Sequence, residues 1–181
     1  MIRCRPVMRR PTLRARRSIA FISLALLLTF TPAARSEAAP AISATIRIGG
    51  VDTQSIVITE ADLHALPRVT LKVTDEKGTP VTYDGVPVAE LLQKAGAPIG
   101  KLKGPRMKLY VVAGAADGYE AVFALAEFDP AFTDRAIILA DRRDGHAIAP
   151  PEGPFRLIVP GEGRHARWVR EVTALEVEEA K

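Results

Sequence analysis

The sequence predicts an α+β domain, and three observations carry that expectation. Short alternating or apolar runs outnumber helical ones, and most are joined by tight turns at Gly49-Gly50, Asp75–Gly78, Asp84-Gly85, Asp117-Gly118 and Asp144-Gly145. Only one long stretch, Val88, Leu91, Leu92 and Ala95, repeats at i, i+3, i+4, i+7. Ala136 to Ala140 is apolar throughout, as expected of a central strand covered on both faces. Strand-rich segments with few helices read as a mixed sheet with short helices.

The elements follow in order. Thr45–Ile48 alternates and stops at two glycines, and Ser55–Ile58 forms the next short strand. Thr59 caps a brief helix over Glu60–Leu66, with Asp62 at the third position of a capping box and Pro67 as the stop. Val69–Val73 and Val81–Tyr83 flank the Asp75–Gly78 turn. Pro87 opens the periodic helix and Gly96 closes it. Met107–Ala113 and Tyr119–Ala124 are paired strands about Asp117-Gly118. Leu125–Phe132 holds acids and Pro130 and reads as a short helix or loop. Phe155–Val159 and Val172–Val177 are the last strands, separated by a glycine-bearing loop.

The chain has 181 residues, with 25 Lys+Arg against 21 Asp+Glu. That net charge of +4 suggests nucleic acid or an anionic membrane, but it is unevenly placed. Eight arginines precede residue 36, against one acid, Glu37, before Ala39. An arginine-rich start, the apolar run Ser18–Phe30 and the small residues Ser36 and Ala38 have the form of a signal peptide over residues 1–38. The run is shorter than the roughly 20 residues of a membrane span. Arg16-Arg17 fits the twin-arginine route poorly, so the ordinary export route is expected. Residues 39–181 then form one domain with 17 basic and 20 acidic residues, a net charge of −3. A periplasmic or secreted location follows, with no nucleic-acid partner and no membrane attachment after cleavage. Cys4 leaves with the signal, so residues 39–181 offer no disulfide, thiolate ligand or cysteine nucleophile.

Motifs for hydrolysis and nucleotide binding are missing: there is no G-x-S-x-G, H-E-x-x-H, P-loop or G-x-G-x-x-G. Asp141, Asp144 and His146 are close in sequence but lack a second histidine, and read as a solvated turn; no metal ligand is assigned. The most uneven segment runs from Arg156 to Arg170, with Arg164, His165 and Arg167 between, around Gly161 and Gly163. Loop amides and guanidinium forks of this kind suit a small anionic ligand. Paired surface arginines with Trp168 as a core anchor are the competing expectation.

The ordered motifs resemble the molybdopterin-binding domain of the sulfite oxidase family. They are Thr59–Leu63, Leu66-Pro67, Tyr83–Val88 with Leu91-Leu92, Asp117–Tyr119, Ile138–Ala140, Asp144-Gly145, Gly153–Gly161, His165 and Arg167–Val169. The resemblance implies the same α+β fold and a molybdopterin cofactor, with Arg156, Arg164, His165 and Arg167 on the cofactor side and Asp141 and Tyr119 as catalytic candidates. Two departures stand out. The resemblance calls for a molybdenum-ligating cysteine within the strand that here reads Val69–Thr74, and none is there. Asp141 stands where sulfite oxidases have a substrate-side tyrosine, and a carboxylate repels sulfite. The expected function is an exported, oxidoreductase-type molybdopterin-binding domain that does not oxidise sulfite. The alternative is a non-catalytic periplasmic module that binds a small anion or a partner protein.

Overall fold

The computed structural model describes residues 44–181. The export signal expected over residues 1–38, Cys4 within it and the leader as far as residue 43 lie outside the described residues. Among the described residues, no helix is long and apolar enough to cross a membrane.

Among the described residues, ten strands form two sheets. In the first, β2 (Ile56–Thr59) lies at one edge, followed by β1 (Thr45–Gly50), β10 (Val172–Glu179), β5 (Leu109–Ala115) and β6 (Glu120–Ala124). In the second, β3 (Val69–Thr74) pairs with β4 (Pro80–Pro87), which pairs with β7 (Ile138–Arg143). The free side of β7 takes both the two-residue β8 (His146–Ala147) and β9 (Arg156–Ile158). The sequence led us to expect one mixed sheet; there are two, and only the first is mixed. Its single parallel pair is β1 with β10, the two ends of the described chain. Hairpin-linked neighbours pair antiparallel, because a tight turn cannot return the chain in the same direction.

The helices follow their local signals. In α1 (Glu60–His64), the Thr59 hydroxyl accepts from the Asp62 amide at 3.1 Å, and Asp62 accepts from the Thr59 amide at 2.9 Å. In α2 (Val88–Lys94), Val88, Leu91 and Leu92 are buried, and Gly96 follows with φ +96°. Pro87 is the residue before α2 rather than its first turn. Leu125–Glu127 is a single 3₁₀ turn.

Ile46, Ile48, Val111, Leu175 and Val177 of the first sheet share one core with Val86, Ile138, Leu139 and Leu157 of the second. The apolar run at 138–140 is buried as expected, between β4 and β9. Asp84-Gly85 is not a turn, because β4 runs straight through it. A Cβ on Gly85 would sit 2.3 Å from the Leu139 carbonyl oxygen, so this glycine permits close approach to β7 beside a register shift. Asp144 and Gly145 do form the β7–β8 turn, both with positive φ.

Candidate functional site

The segment between β9 and β10, residues 159–171, crosses from the second sheet to the first. Main-chain bonds hold it: the Leu157 amide donates to the Val169 carbonyl at 2.8 Å, and Val172 to Phe155 at 3.0 Å. Trp168 is its anchor. The indole is 4 % exposed, donates from Nε1 to the Val159 carbonyl at 2.9 Å, and meets the Tyr83 ring edge-on at 6.1 Å. His165 stacks on the indole at 3.7 Å with an interplanar angle of 15°.

Around this stack the chain forms a cavity of about 270 Å³. It is lined by Tyr119 and Asp117 from the β5–β6 turn, by Arg156 of β9, and by His165, Trp168 and Arg170. A neighbouring groove of about 400 Å³ runs between Lys72–Asp75 and the loop Pro160–Gly163, and shares His165 and Trp168 with the cavity.

Arg156 is 6 % exposed, so its charge requires compensation. Nη1 donates to Glu152 at 2.7 Å and to the Tyr83 hydroxyl at 3.3 Å. Arg143 joins Glu152 at 3.2 Å and Asp75 at 3.2 Å, so acids and bases alternate along one half-buried chain. Burial raises the Tyr83 phenol above its ordinary pKa, against the pull of Arg156 and Arg143. Three polar atoms here are buried without a partner: Arg156 Nε, His165 Nδ1 and Glu162 Oε2. Buried polar groups are nearly always paired; of these three residues Arg156 and His165 line the cavity, and Glu162 lines the neighbouring groove with His165.

The six residues selected from the sequence are only partly brought together. Arg156, His165 and Tyr119 meet at the cavity. The Tyr119 hydroxyl already donates to the Ala166 carbonyl at 2.8 Å, which fixes the cavity wall. Arg164 is exposed and lines an adjoining cleft with His165. Arg167 faces elsewhere. Its Nε donates to Glu162 at 2.7 Å, and its two terminal nitrogens donate to Glu127, each at 3.1 Å. Hydrogen bonds to Glu127 hold its pKa above the ordinary range; burial opposes them, and Glu162 adds to them. Such a guanidinium has no donor left for a phosphate. Asp141 is also absent from the cavity lining. It is 6 % exposed, held by Arg68 and His64, so the solvated turn expected at residues 141–146 begins only after it. Asp144 and His146 are exposed. Glu152, Tyr83 and Glu162 were not selected from the sequence; only the four-residue spacing of Glu152 and Arg156 hinted at a pair.

The model of the oxidoreductase molybdopterin binding domain family matches residues 36–181. The chain belongs to this family. Among solved structures it is similar to the sulfane dehydrogenase SoxCD from Paracoccus pantotrophus, at 25% identity and a TM-score of 0.59 over 76% of this chain. The match spans 38% of that protein, so the chain corresponds to well under half of its length. No curated protein matches. The fold expected from the motifs is therefore the observed one, an α+β domain of the sulfite oxidase type.

The family's domain binds molybdopterin, and the donor set here can be compared with that group. The strand Val69–Thr74 offers no sulfur, and the chain's one cysteine is Cys4. Among the described residues, no cluster of three or more His, Cys, Asp or Glu side chains could hold a metal ion. Arg167 is held by Glu162 and Glu127, and Arg156 is held by Glu152 and Tyr83 through Nη1 alone. These residues do not fit a thiolate-ligated molybdenum centre.

Proposed function

We propose that this chain is an exported member of the family that binds a small anionic ligand and does not oxidise sulfite. One observation carries the reading: Arg156 Nε and His165 Nδ1 are buried without partners, and both residues line the same cavity. A buried donor left unpaired costs about 1–3 kcal/mol, so an acceptor arriving there is bound at a site already desolvated. Arg170 lines the same cavity, opposed by the acids Glu76 and Asp117. Export rests on residues 1–38, whose charged start, apolar centre and small-residue exit have the form of a secretory signal.

The family's description favours a second reading, a molybdopterin-loaded oxidoreductase, and one preparation separates the two. The protein is purified from its native host grown with ample molybdenum, and its metal content and oxidised-pterin fluorescence are measured. The anion-binding reading expects neither in stoichiometric amount. Molybdenum or pterin at one equivalent overturns it. The same protein is then melted with acetate or sulfate; a rise in melting temperature is expected, and its absence with every small anion rejects the site.

A further inference from the structure

We infer that the open edge of β2 pairs with β2 of a second copy of this chain, antiparallel about Val57. The inference is independent of the anion site.

The main chain of β2 faces two ways. The Glu60 amide donates to the Ala44 carbonyl at 3.3 Å, one step beyond the Thr45–Thr59 pair of the β1–β2 ladder. In an antiparallel ladder, hydrogen-bonded pairs alternate with unbonded ones. Ile46 with Ile58 and Ile48 with Ile56 are therefore the bonded pairs, and Arg47 with Val57 is an unbonded one. The N–H and C=O of Val57 thus point away from β1, toward the edge of the sheet. The same parity turns the Thr59 amide outward, where it donates to Asp62 at 2.9 Å. Among the described residues, no main-chain group of another segment takes up the Val57 N–H or C=O.

The side chains leave this edge unguarded. Sheet edges are ordinarily blunted by charge, proline or a covering element. At the edge strand β6, Arg167 and Glu127 engage the main chain, and the edge strand β3 carries the exposed Lys72. Ser55–Thr59 has neither charge nor proline. Val57 is 59 % exposed, more than any other large apolar side chain among the described residues. The occupant is a second copy because the strand is complementary to itself. A two-fold axis at Val57 sets Val57 opposite Val57, Ile56 opposite Ile58 and Ser55 opposite Thr59. Each Val57 N–H then meets the other copy's Val57 C=O, so two main-chain bonds form at the axis. The alternation carries across: the valines meet on the open face, and Ile56 meets the buried Ile58 on the core face. The result is one continuous sheet with five strands from each protomer. A seam this short is small, so association is weak and depends on concentration.

The test is sedimentation velocity of the purified protein over a dilution series, beside Val57→Lys and Val57→Glu. The wild-type protein is expected to pass from monomer to dimer as concentration rises, with the Val57 amide gaining protection from hydrogen exchange in step. Each variant alone sets like charges directly across the axis, and should weaken association about tenfold. An equal mixture of the two sets opposite charges across it and should restore the dimer. Both variants should keep the wild-type urea midpoint, because the position is exposed. A wild-type protein that stays monomeric at every concentration overturns the inference. A dimer that survives in both variants, or that the mixture fails to restore, overturns the pairing about Val57. Dimerisation that leaves the wild-type Val57 amide unprotected overturns it as well, and needs no variant to fold.

Discussion

Arg68 closes on Asp141 with both terminal nitrogens, Nη1 lying 3.1 Å from Oδ2, while His64 Nε2 approaches the same oxygen at 3.1 Å. The pair ties the segment between α1 and β3 to the central strand β7. It also accounts for an acid at a position where the resemblance led us to expect a substrate-side tyrosine: Asp141 is spent on Arg68 and His64 and is absent from the cavity lining.

The two ends of this pair are unequally buried, at 6% exposure for the Asp141 side chain and 27% for Arg68. Removing one partner should therefore have unequal effects. Arg68→Ala leaves a buried carboxylate with only His64, and should cost about 2–3 kcal/mol in urea unfolding. Asp141→Ala leaves a cation that can turn toward water, and should cost less, about 1 kcal/mol. Equal costs would show that the pair's burial does not govern its energy.

Arg167 was expected to face the ligand, and the structure gives it a different task. It donates to the Val122 carbonyl at 3.4 Å, while its partner Glu127 accepts from the Ala124 amide at 3.0 Å. Both main-chain groups lie on β6, an edge strand that would otherwise be open to pairing. Arg167→Ala should lower stability by about 1–3 kcal/mol, since it frees two carboxylates. Its acetate affinity should equal that of the wild-type protein. A loss of anion binding at unchanged stability would return Arg167 to the ligand site.

Gly85 shows where the sequence misled. Asp-Gly reads as a turn, yet here glycine is required by packing. The alanine Cβ in Gly85→Ala would lie 2.3 Å from Leu139 O and 2.6 Å from Ala140 Cα, both main-chain atoms of β7 that cannot step aside. We expect a loss of about 2–3 kcal/mol or more on unfolding in urea. A fully stable variant would mean that β4 and β7 separate freely.

The strands and the α1 cap were legible because period, turn residues and capping boxes are local signals. The run at Ala136–Ala140 announced its own burial. The basic segment was legible as a place but not as a geometry. Arg156, Arg164, His165 and Arg167 are close in sequence, and a loop has no period to say which way each points. Arg156 turns inward to Glu152, Arg167 turns to the β6 edge and Arg164 is exposed. Glu127, which holds Arg167, lies far outside the basic run, so no spacing rule pairs the two. The cysteine that the resemblance calls for in Val69–Thr74, by contrast, was visibly missing, because the one cysteine in the sequence is Cys4.

His165 provides the most direct check on the cavity. His165→Phe keeps a flat ring to stack on Trp168 and deletes the orphan Nδ1. Stability without ligand should change little, while acetate affinity should fall about tenfold. An unchanged affinity would place the anion elsewhere.

Acid should loosen α1 through its capping box. Thr59 holds the Asp62 carboxyl below its ordinary value of 3.8, first through its hydroxyl and then through its amide. A carboxylate with a depressed folded pKa stabilises the folded state fully above the ordinary value. That contribution is lost as pH falls through the depressed one. In Asp62→Asn the charge is absent at every pH. The wild-type protein should therefore exceed the variant in urea midpoint at about pH 7, and the gap should close toward about pH 2. A gap independent of pH would mean that the box acts through shape and not through the ionised carboxylate.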